Sequence, residues 1–339
     1  MLAVHVGDLI EAIRVPIDWH PGLSIYASEP FLRSVGDEYG WIGGVDSSQK
    51  LRCILPYTII KKAFFRMARF RVETILLDDG LDVEMEKSFL NSAIDCLRSL
   101  GADMIIPASN NTIFRTYPDG AVAAPYGSFV VDLRPDEEVL WRNVHPKHRN
   151  KIRIASKACV EVKTGLDYLE RSYELLKETL ERSSLGFLRY ASFKRLVLGL
   201  SDNVELFVAK HDGVVQGCAV VFFSDHAAYY VYGGSIAKPQ TGAMNLLHWE
   251  IMLHFRKAGV RYYDFVGVRV DPEEESKQHG LMMFKQRFGG RLVKGYMWKY
   301  CFNRFKFEFY CHAVRLLRGG DIVDLEHHKL RDMNWGVTQ

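Results

Sequence analysis

The chain has 339 residues, of which 48% are hydrophobic and 25% are charged. These proportions are ordinary for a globular protein, so they exclude an intrinsically disordered chain and leave room for two domains with separate cores. The net charge of +3 is too small to indicate a partner by itself.

The cysteines and the N-terminus indicate where the protein works. Six cysteines are scattered singly and none forms a Cys-x-x-Cys pair, which argues against a zinc ribbon or a redox motif and is typical of a reducing compartment. Asp8 and Glu11 interrupt the apolar N-terminus, and no apolar run approaches the roughly 20 residues that a membrane-spanning helix needs. We therefore expect a cytoplasmic protein without a signal peptide.

In the first part of the chain the pattern predicts a hairpin, a helix and a buried strand. Residues 41–60 contain two apolar runs around the polar turn Asp46-Ser47-Ser48. Apolar residues recur at helical spacing from about 83 to 100, and Gly101 stands where a glycine commonly ends a helix. The run ADMIIP that follows predicts a strand ending near Pro107.

The second part repeats this order. Asp212-Gly213 is a strong hairpin turn, residues 227–234 predict a third strand, and a helix is predicted from about Gly242 to Lys257. Gly259 closes that helix, and the strand VRYYDFVGV follows. We therefore predict an α/β fold with two copies of one unit, in which Gly101 and Gly259 hold equivalent positions.

Charged helical segments separate the two copies. The segment RPDEEVLWRNV carries acids in its first turn, where the helix dipole favours them, and the strongly basic HPKHRNKIRIASK follows. We place the domain boundary near residue 145, so that residues 1–144 form the first domain and residues 145–315 form the second.

The loop SIAKPQTGAMN is the first candidate for ligand binding. A helix that begins after a glycine-containing loop presents free backbone N–H groups and the positive end of its dipole, which suit a phosphate. Gln240 and Gly242 would bind that phosphate. An ordinary strand-to-helix turn has the same pattern, because one short glycine motif is not specific.

A cluster of basic residues is the second candidate for ligand binding. The segment from Arg142 to Lys157 has eight basic or histidine residues and no acid, and like charges at i,i+4 spacing repel. This favours an anionic partner, although a solvated charged face remains the alternative. The segments 61–71 and 291–306 are also basic and carry interleaved aromatic residues, which suits phosphate contact and base stacking. The individual residues that we expect to contact nucleic-acid phosphate are Lys147, Lys151, Arg153 and Arg304.

Lys285 is the candidate catalytic residue. It lies in the apolar and aromatic stretch GLMMFKQRFGG, and a partly buried ammonium stabilises a developing oxyanion. A surface lysine on an amphipathic helix is the alternative. No serine or cysteine nucleophile signature and no metal-binding histidine pattern occur, so we expect neither covalent catalysis nor a metal site.

The last long apolar helix, CFNRFKFEFYCHAVRLL, is predicted to pack its apolar stripe against the core. The alternative is a helix that lies on a membrane surface.

Two stretches resemble the FemABX family, the aminoacyl-tRNA-dependent transferases that build peptidoglycan cross-bridges. The first is FVVDLRPDEEVLWRNVHPKHRNKIRIASKACVEV, and the second is LLHWEIMLHFRKAGVRYYDFVGV followed by GLMMFKQRFGG. The resemblance implies two GNAT-like acyltransferase domains in tandem with the substrate groove between them, and a C-terminal tail, here 316–339, that returns to the first domain. The GNAT pyrophosphate motif, Arg/Gln-x-x-Gly-x-Gly/Ala, has only a partial counterpart in Gln240-Thr241-Gly242-Ala243.

The resemblance also implies roles for individual residues. Lys285 would face the reacting acyl group, and Arg189 would bind a substrate phosphate. Phe193 stands where the family usually has a tyrosine, and Tyr230 or Tyr232 matches an aromatic residue that lines the groove. The family often has a carboxylate immediately before the proline that ends the first buried strand, but residue 106 is isoleucine here. That difference concerns the muropeptide substrate more than the fold.

The function that the resemblance implies is transfer of an aminoacyl group from aminoacyl-tRNA to an amine, with a peptidoglycan precursor or related peptide as acceptor and no cofactor. Lys147, Lys151, Arg153 and Arg304 would then bind tRNA. Peripheral membrane association would follow from a lipid-linked acceptor. Two alternatives stay open: an N-acyltransferase of polysaccharide or secondary metabolism that uses acetyl-CoA or another acyl-CoA, and a non-catalytic GNAT-like module that binds RNA or a partner.

Overall fold

A computed structural model describes residues 10–183, 185–200 and 202–332. Their strands pair into one mixed sheet. The strands, numbered along the chain, are β1 (Glu11–Val15), β2 (Glu38–Val45), β3 (Leu51–Lys62), β4 (Phe65–Phe70), β5 (Ile75–Leu76), β6 (Met104–Ile105), β7 (Val122–Asp132), β8 (Glu161–Thr164), β9 (Val204–His211), β10 (Val214–Phe223), β11 (Ala227–Ser235), β12 (Tyr262–Asp264) and β13 (Arg291–Cys301). Their order across the sheet is β1-β2-β3-β4-β6-β13-β7-β12-β11-β10-β9-β8, with β5 beside β3.

Helices cover both faces of this sheet and connect its strands. They are α1 (Glu29–Val35), α2 (Val83–Ser99), α3 (Glu137–Asn143), α4 (Pro146–Lys157), α5 (Leu169–Glu181), α6 (Tyr190–Gly199), α7 (Ala243–Lys257), α8 (Lys277–Gln286), α9 (Arg304–Arg318), α10 (Ile322–Glu326) and α11 (Lys329–Asp332). In the described part of the chain, no helix is both long and apolar enough to cross a membrane.

The predicted duplication is confirmed in the sheet topology. In the first half β2, β3 and β4 are antiparallel, α2 follows, and β6 returns parallel to β4. In the second half β9, β10 and β11 are antiparallel, α7 follows, and β12 returns parallel to β11. The hairpin between β9 and β10 turns at Asp212 and Gly213, whose φ angles of 49° and 77° are those of a type I′ turn.

The glycines that end α2 and α7 have the same conformation. Gly101 and Gly259 have φ angles of 74° and 81°. The N–H of each glycine donates to a carbonyl three residues earlier, and the next N–H donates to a carbonyl five residues earlier, at 2.9 and 3.2 Å after α2 and at 3.0 and 3.0 Å after α7. This is the Schellman arrangement, which needs a left-handed residue at this position and therefore favours glycine.

Two long central strands join the halves. β7 and β13 pair antiparallel from Val122 with Lys299 to Val130 with Arg291. β6 pairs with β13, and β12 pairs with β7. The boundary near residue 145 stays a proposal, because β7 precedes it in sequence and yet pairs with β12, which follows it.

The described part of the C-terminal tail folds back onto these central strands. The buried Lys299 of β13 binds Asp321 at 2.9 Å and Asp324 at 2.6 Å, and Val323 of α10 is fully buried against β7 and β13. Leu330 packs against the core of the first half. Residues 333–339 of the predicted tail lie outside the described residues.

Candidate active site

Lys285 lies near the end of α8, and its ammonium is held against the loop that follows β12. Its Nζ donates hydrogen bonds to the carbonyl oxygens of Val266 and Gly267, the latter at 2.7 Å. Both residues have positive φ angles, 51° and 54°. A β-branched residue such as Val266 is strained in this region, and such strain is concentrated at functional sites.

The groups around Lys285 have strongly shifted ionisation. Burial lowers the pKa of Lys285 to about 8, although the charge of Asp264 opposes this effect. Burial also raises the pKa of Asp264, whose Oδ1 accepts hydrogen bonds from Ser128 and from the N–H of Val266. Burial, together with the charge of Lys285, lowers the pKa of His248 to about 3. Near pH 7 the site therefore has an ammonium beside a neutral imidazole, and such perturbed groups are typical of active sites.

The predicted aromatic residues lie in two different places. Tyr230 packs edge-on against His248 with 4.4 Å between ring centroids, on the side of the site near Lys285. Tyr232 packs against Phe187 and the fully buried Phe193 and lines a cleft between the two halves. Phe193 therefore supports Tyr232 from the core and does not itself face the cleft.

That cleft has a volume of about 830 Å³ and is rich in arginine. The polar residues that line it include Arg33, Ser34, Asp37, Arg69, Arg71, Ser192, Arg195 and Tyr232. Arg71 is only 5% exposed, and its guanidinium donates to the Thr58 hydroxyl at 2.8 Å and to the Val35 carbonyl at 2.6 Å.

Arg69 is held in the same way. Its guanidinium donates to the carbonyl of Pro107 at 3.0 Å and to that of Ala108 at 3.1 Å. Burial lowers the pKa of both arginines, and within the described residues neither forms an ion pair with a carboxylate. A buried guanidinium with only neutral acceptors keeps an uncompensated charge and unused donors, which suits a phosphate.

The sequence had indicated this cleft only indirectly. Arg189 is the exposed N-cap residue of α6, a helix that lines the cleft through Ser192 and Arg195. Arg69 and Arg71 lie in the segment 61–71, whose basic and aromatic pattern was noted, but neither was selected individually. Arg69 lies in β4 and Arg71 directly follows its end, and their spacing was the available signal, because residues two apart in extended chain share a face.

The basic helix α4 lies beside the helix that carries Lys285. The His145 N–H donates to the carbonyl of Arg287 at 2.8 Å, and His148 Nε2 lies 3.1 Å from the carbonyl of Phe284. Ile152 and Ala155 bury the inner face of α4. The outer residues Lys147, Lys151 and Arg153 are exposed, and none of them pairs with an acid in the part of the chain that the structure describes.

Helix α4 packs against the loop of the phosphate site predicted at Gln240 and Gly242. Gly242 has a φ of 83°, and a side chain there would overlap the backbone carbonyl of Lys151. Ala243, the first residue of α7, is fully buried. The backbone of α4 therefore packs against Gly242 at the start of α7, a contact that a linear pattern cannot show.

Arg304 is not brought together with the basic face of α4. It is exposed at the start of α9 and pairs with Glu308 of the same helix at 2.8 Å. That helix is fixed to the first half of the sheet, where Lys306 binds Asp103 at 2.8 Å.

Comparisons with known proteins identify a similar domain family and similar sequences. A family model described as an acetyltransferase (GNAT) domain matches residues 146–278. A lipid II:glycine glycyltransferase of Staphylococcus epidermidis is 32% identical over 90 residues, which are 26% of this chain and 22% of that protein. The Staphylococcus haemolyticus protein with the same name is 25% identical over 130 residues, 38% of this chain and 31% of that protein. The matched segment is thus less than a third of the length of these curated relatives.

Solved structures show the same fold over most of the chain. The crystal structure of FemX superposes with a TM-score of 0.67 and 16% identity, covering 88% of this chain and 99% of FemX. The C-terminal domain of a putative lysylphosphatidylglycerol synthetase from Agrobacterium fabrum superposes with a TM-score of 0.51 and 13% identity, covering 86% of this chain and 91% of that domain. The duplicated α/β architecture is therefore a tandem GNAT-like fold.

Proposed function

We propose that this chain is a member of the FemABX family and forms an amide by transferring an aminoacyl group from aminoacyl-tRNA to an amine of a peptidoglycan precursor. The observation that carries the proposal is the ammonium of Lys285, which is fixed against the strained backbone of Val266 and Gly267 on a helix that packs beside the basic helix α4. The first test is direct. Radiolabel should pass from aminoacyl-tRNA to lipid II when this protein is added, and acetyl-CoA should not replace the charged tRNA.

The chemistry needs no covalent enzyme intermediate. A neutral amine attacks the carbonyl carbon of the aminoacyl ester, and the carbonyl oxygen becomes an oxyanion. The ribose oxygen then leaves as the amide forms. A fixed ammonium next to the carbonyl stabilises the oxyanion, and holding both substrates in one groove supplies proximity. Lys285 is the residue that we assign to the oxyanion.

The donor is better explained by tRNA than by coenzyme A. A GNAT enzyme that uses CoA needs a free helix N-terminus for the pyrophosphate, and α4 covers that end of α7 here. The same helix α4 presents exposed lysines and arginines that lack acidic partners among the described residues. Both features favour a polyanionic donor whose backbone lies along α4.

Charge reversal on α4 should weaken tRNA binding regardless of tRNA sequence. In the triple variant Lys147→Glu, Lys151→Glu and Arg153→Glu, the slope of log Kd against log salt concentration should become smaller by about 2 to 3. The reason is that each phosphate contact contributes roughly 0.7 to 0.9 to that slope. Filter binding at several salt concentrations measures it. Lys194→Glu, an exposed lysine on α6, is the control and should change little. An unchanged slope in the triple variant would exclude α4 as the tRNA surface.

The acceptor follows from the arginine cleft and from the relatives. The curated relatives are named lipid II:glycine glycyltransferases, and lipid II carries a pyrophosphate. Arg69 and Arg71 would bind one of its phosphate groups, with Arg189 at the rim. The peptide of the acceptor would then extend from this cleft toward Lys285.

Helix α9 has the surface that a membrane-linked acceptor requires. Its inner face packs through Phe307 and Tyr310, as the sequence predicts, but its outer face is apolar and open: Phe305 is 76% exposed, Leu316 74% and Leu317 82%. Basic residues lie along the same helix at Arg304, Lys306, Arg315 and Arg318. An exposed apolar stripe flanked by basic residues is typical of helices that bind anionic membranes.

Polar substitutions on α9 should therefore release the protein from vesicles. For Phe305→Ser, Leu316→Ser and Leu317→Ser together, sedimentation with phosphatidylglycerol vesicles should weaken by at least about 100-fold, because each buried apolar side chain contributes about 1.5 to 3 kcal/mol. Leu198→Ser, an exposed leucine on α6, is the matched control. Equal vesicle binding by the triple variant, or a change only in oligomeric state, would contradict a membrane role for α9.

A further inference from the structure

A smaller cavity of about 190 Å³ lies next to the loop that holds Lys285. Both halves form its walls: Glu73 and Asn111 come from the first, and Ser128, Tyr229 and Asp264 come from the central strands and the second. A water molecule takes up about 30 Å³ of liquid volume, so the cavity has room for the end of an alkylamine chain.

Two carboxyl groups in this cavity, those of Glu73 and Asp264, form no ion pair within the described residues, although Arg291 also lines the cavity and the charge of Lys285 acts on Asp264. Asp264 is only 8% exposed, and both hydrogen bonds that it receives, from Ser128 and from the N–H of Val266, are made by Oδ1, which leaves Oδ2 for a ligand. Glu73 Oε2 accepts a hydrogen bond from the N–H of Ile113 at 3.3 Å. Within the described residues no lysine or arginine forms an ion pair with either acid. A buried carboxylate such as Asp264 is normally paired, so an unpaired Asp264 beside the half-buried Glu73 has the chemistry of a cation site.

We propose that this cavity binds the primary ammonium group of the acceptor between Glu73 and Asp264, and that Glu73 removes a proton from it to make the nucleophilic amine. This inference rests on the proposed aminoacyl transfer. The apolar side chains of Ile113, Val130 and Val293 also line the cavity, and they suit the methylene groups of an alkylamine.

The surroundings of Glu73 prepare it for this role. Burial raises its pKa to about 7, and the negative charges of Asp264 and Glu86 add to that effect. The other titratable or charged groups on the cavity wall are His226, Tyr229, Tyr262 and Arg291. A carboxylate with a pKa near the working pH both accepts and returns a proton efficiently, as a general base must.

The protons and bonds of the proposed step balance. Glu73 takes one proton from the ammonium, and the amine nitrogen then donates its lone pair to the ester carbonyl carbon. Collapse of the tetrahedral intermediate breaks the bond from carbon to the ribose oxygen, and that oxygen receives the proton from Glu73. The nitrogen loses a second proton to solvent, so amide, uncharged ribose hydroxyl and one released proton are the products.

The test uses two nucleophiles with different needs for a base. Lipid II presents an ammonium that must lose a proton, whereas hydroxylamine is already neutral near pH 7. In Glu73→Gln, enzyme-dependent transfer to lipid II should fall by about 100-fold or more, the usual contribution of a general base. Enzyme-dependent transfer to hydroxylamine should be nearly unchanged. Glu84→Gln, an exposed glutamate on α2, is the control.

The stability of Glu73→Gln and its transfer to the two nucleophiles together test the role of Glu73. The melting temperature of Glu73→Gln should not fall, because a neutral amide removes the cost of burying a carboxylate. If Glu73→Gln lost transfer equally with both nucleophiles, or with neither, the inference would be overturned. The proposed function would still stand as long as the wild-type protein transferred the aminoacyl group. If the wild-type protein transferred to neither nucleophile, the proposed function would fail and the inference with it. A further readout needs no variant. The pH profile of wild-type kcat/KM should show a break near pH 7 with lipid II as the acceptor, and that break should be absent with hydroxylamine as the acceptor.

Discussion

Lys285→Met should lower the rate of aminoacyl transfer in a single turnover by about 100- to 1,000-fold, the usual effect of removing one oxyanion donor. Methionine keeps most of the stem volume and removes only the charge. Substrate binding should change far less, because the ammonium acts mainly in the transition state. Lys285→Arg should restore little activity, since a planar guanidinium does not place a point charge where the ammonium was.

The lowered pKa of Lys285 sets the direction in which transfer and stability should change with pH. The pKa of Lys285 is lowered to about 8, so the ammonium is lost as pH rises above about 8, and its contribution to transfer should be lost with it. Between about pH 8 and the ordinary lysine pKa, the unfolded chain binds a proton that the folded protein does not. The free energy of unfolding should therefore rise with pH across that window, by on the order of 3 kcal/mol at most. Lys285→Met should lack this rise.

The matched control for Lys285 is Lys277→Met, an exposed lysine on the same helix α8. It should transfer at the wild-type rate. Wild-type transfer by Lys285→Met would remove the catalytic assignment. A collapsed melting temperature in Lys285→Met would instead show that the two bonds to the carbonyls of Val266 and Gly267 are needed for folding.

The fold was predictable from sequence because its signals are local. The helical spacing of apolar residues in α2, the left-handed glycines after α2 and α7, and the Asp212-Gly213 turn each act within a few residues. They repeat in the same order in both halves, so the duplication is readable without knowledge of any long-range contact. The pairing of β7 with β13 links residues far apart in the chain, and no local pattern specifies it.

The site was less predictable because it depends on which elements cover one another. The loop at Gln240 and Gly242 has the residues of an anion site, but α4 packs on it. Glu73 has no distinguishing sequence pattern, and it enters the cavity only because the two halves meet beside Asp264. The sequence showed that residue 106 is isoleucine where the family often has a carboxylate, but not that Glu73 and Asp264 line one cavity.

Arg71→Met should raise the KM for lipid II by about 10- to 100-fold and leave kcat nearly unchanged, because a charge-assisted hydrogen bond contributes about 1.5 to 3 kcal/mol. The phosphate lies away from the reacting ester, so its binding energy is expected to be equal in the ground state and the transition state. Steady-state transfer at varied lipid II concentration measures the two constants separately.

Arg33→Met is the matched control at the rim of the same cleft, because the Arg33 guanidinium already pairs with Glu29 at 2.5 Å and its side chain is 67% exposed. An exposed, paired arginine contributes little to binding, so the KM of this variant should change only slightly. Arg71 differs because it is buried and lacks a carboxylate partner among the described residues, and its charge is therefore available to an anion. If KM rose equally in both variants, the arginines would act by long-range electrostatic attraction of the phosphate and not by direct contact. An unchanged KM in Arg71→Met would show that the phosphate binds elsewhere.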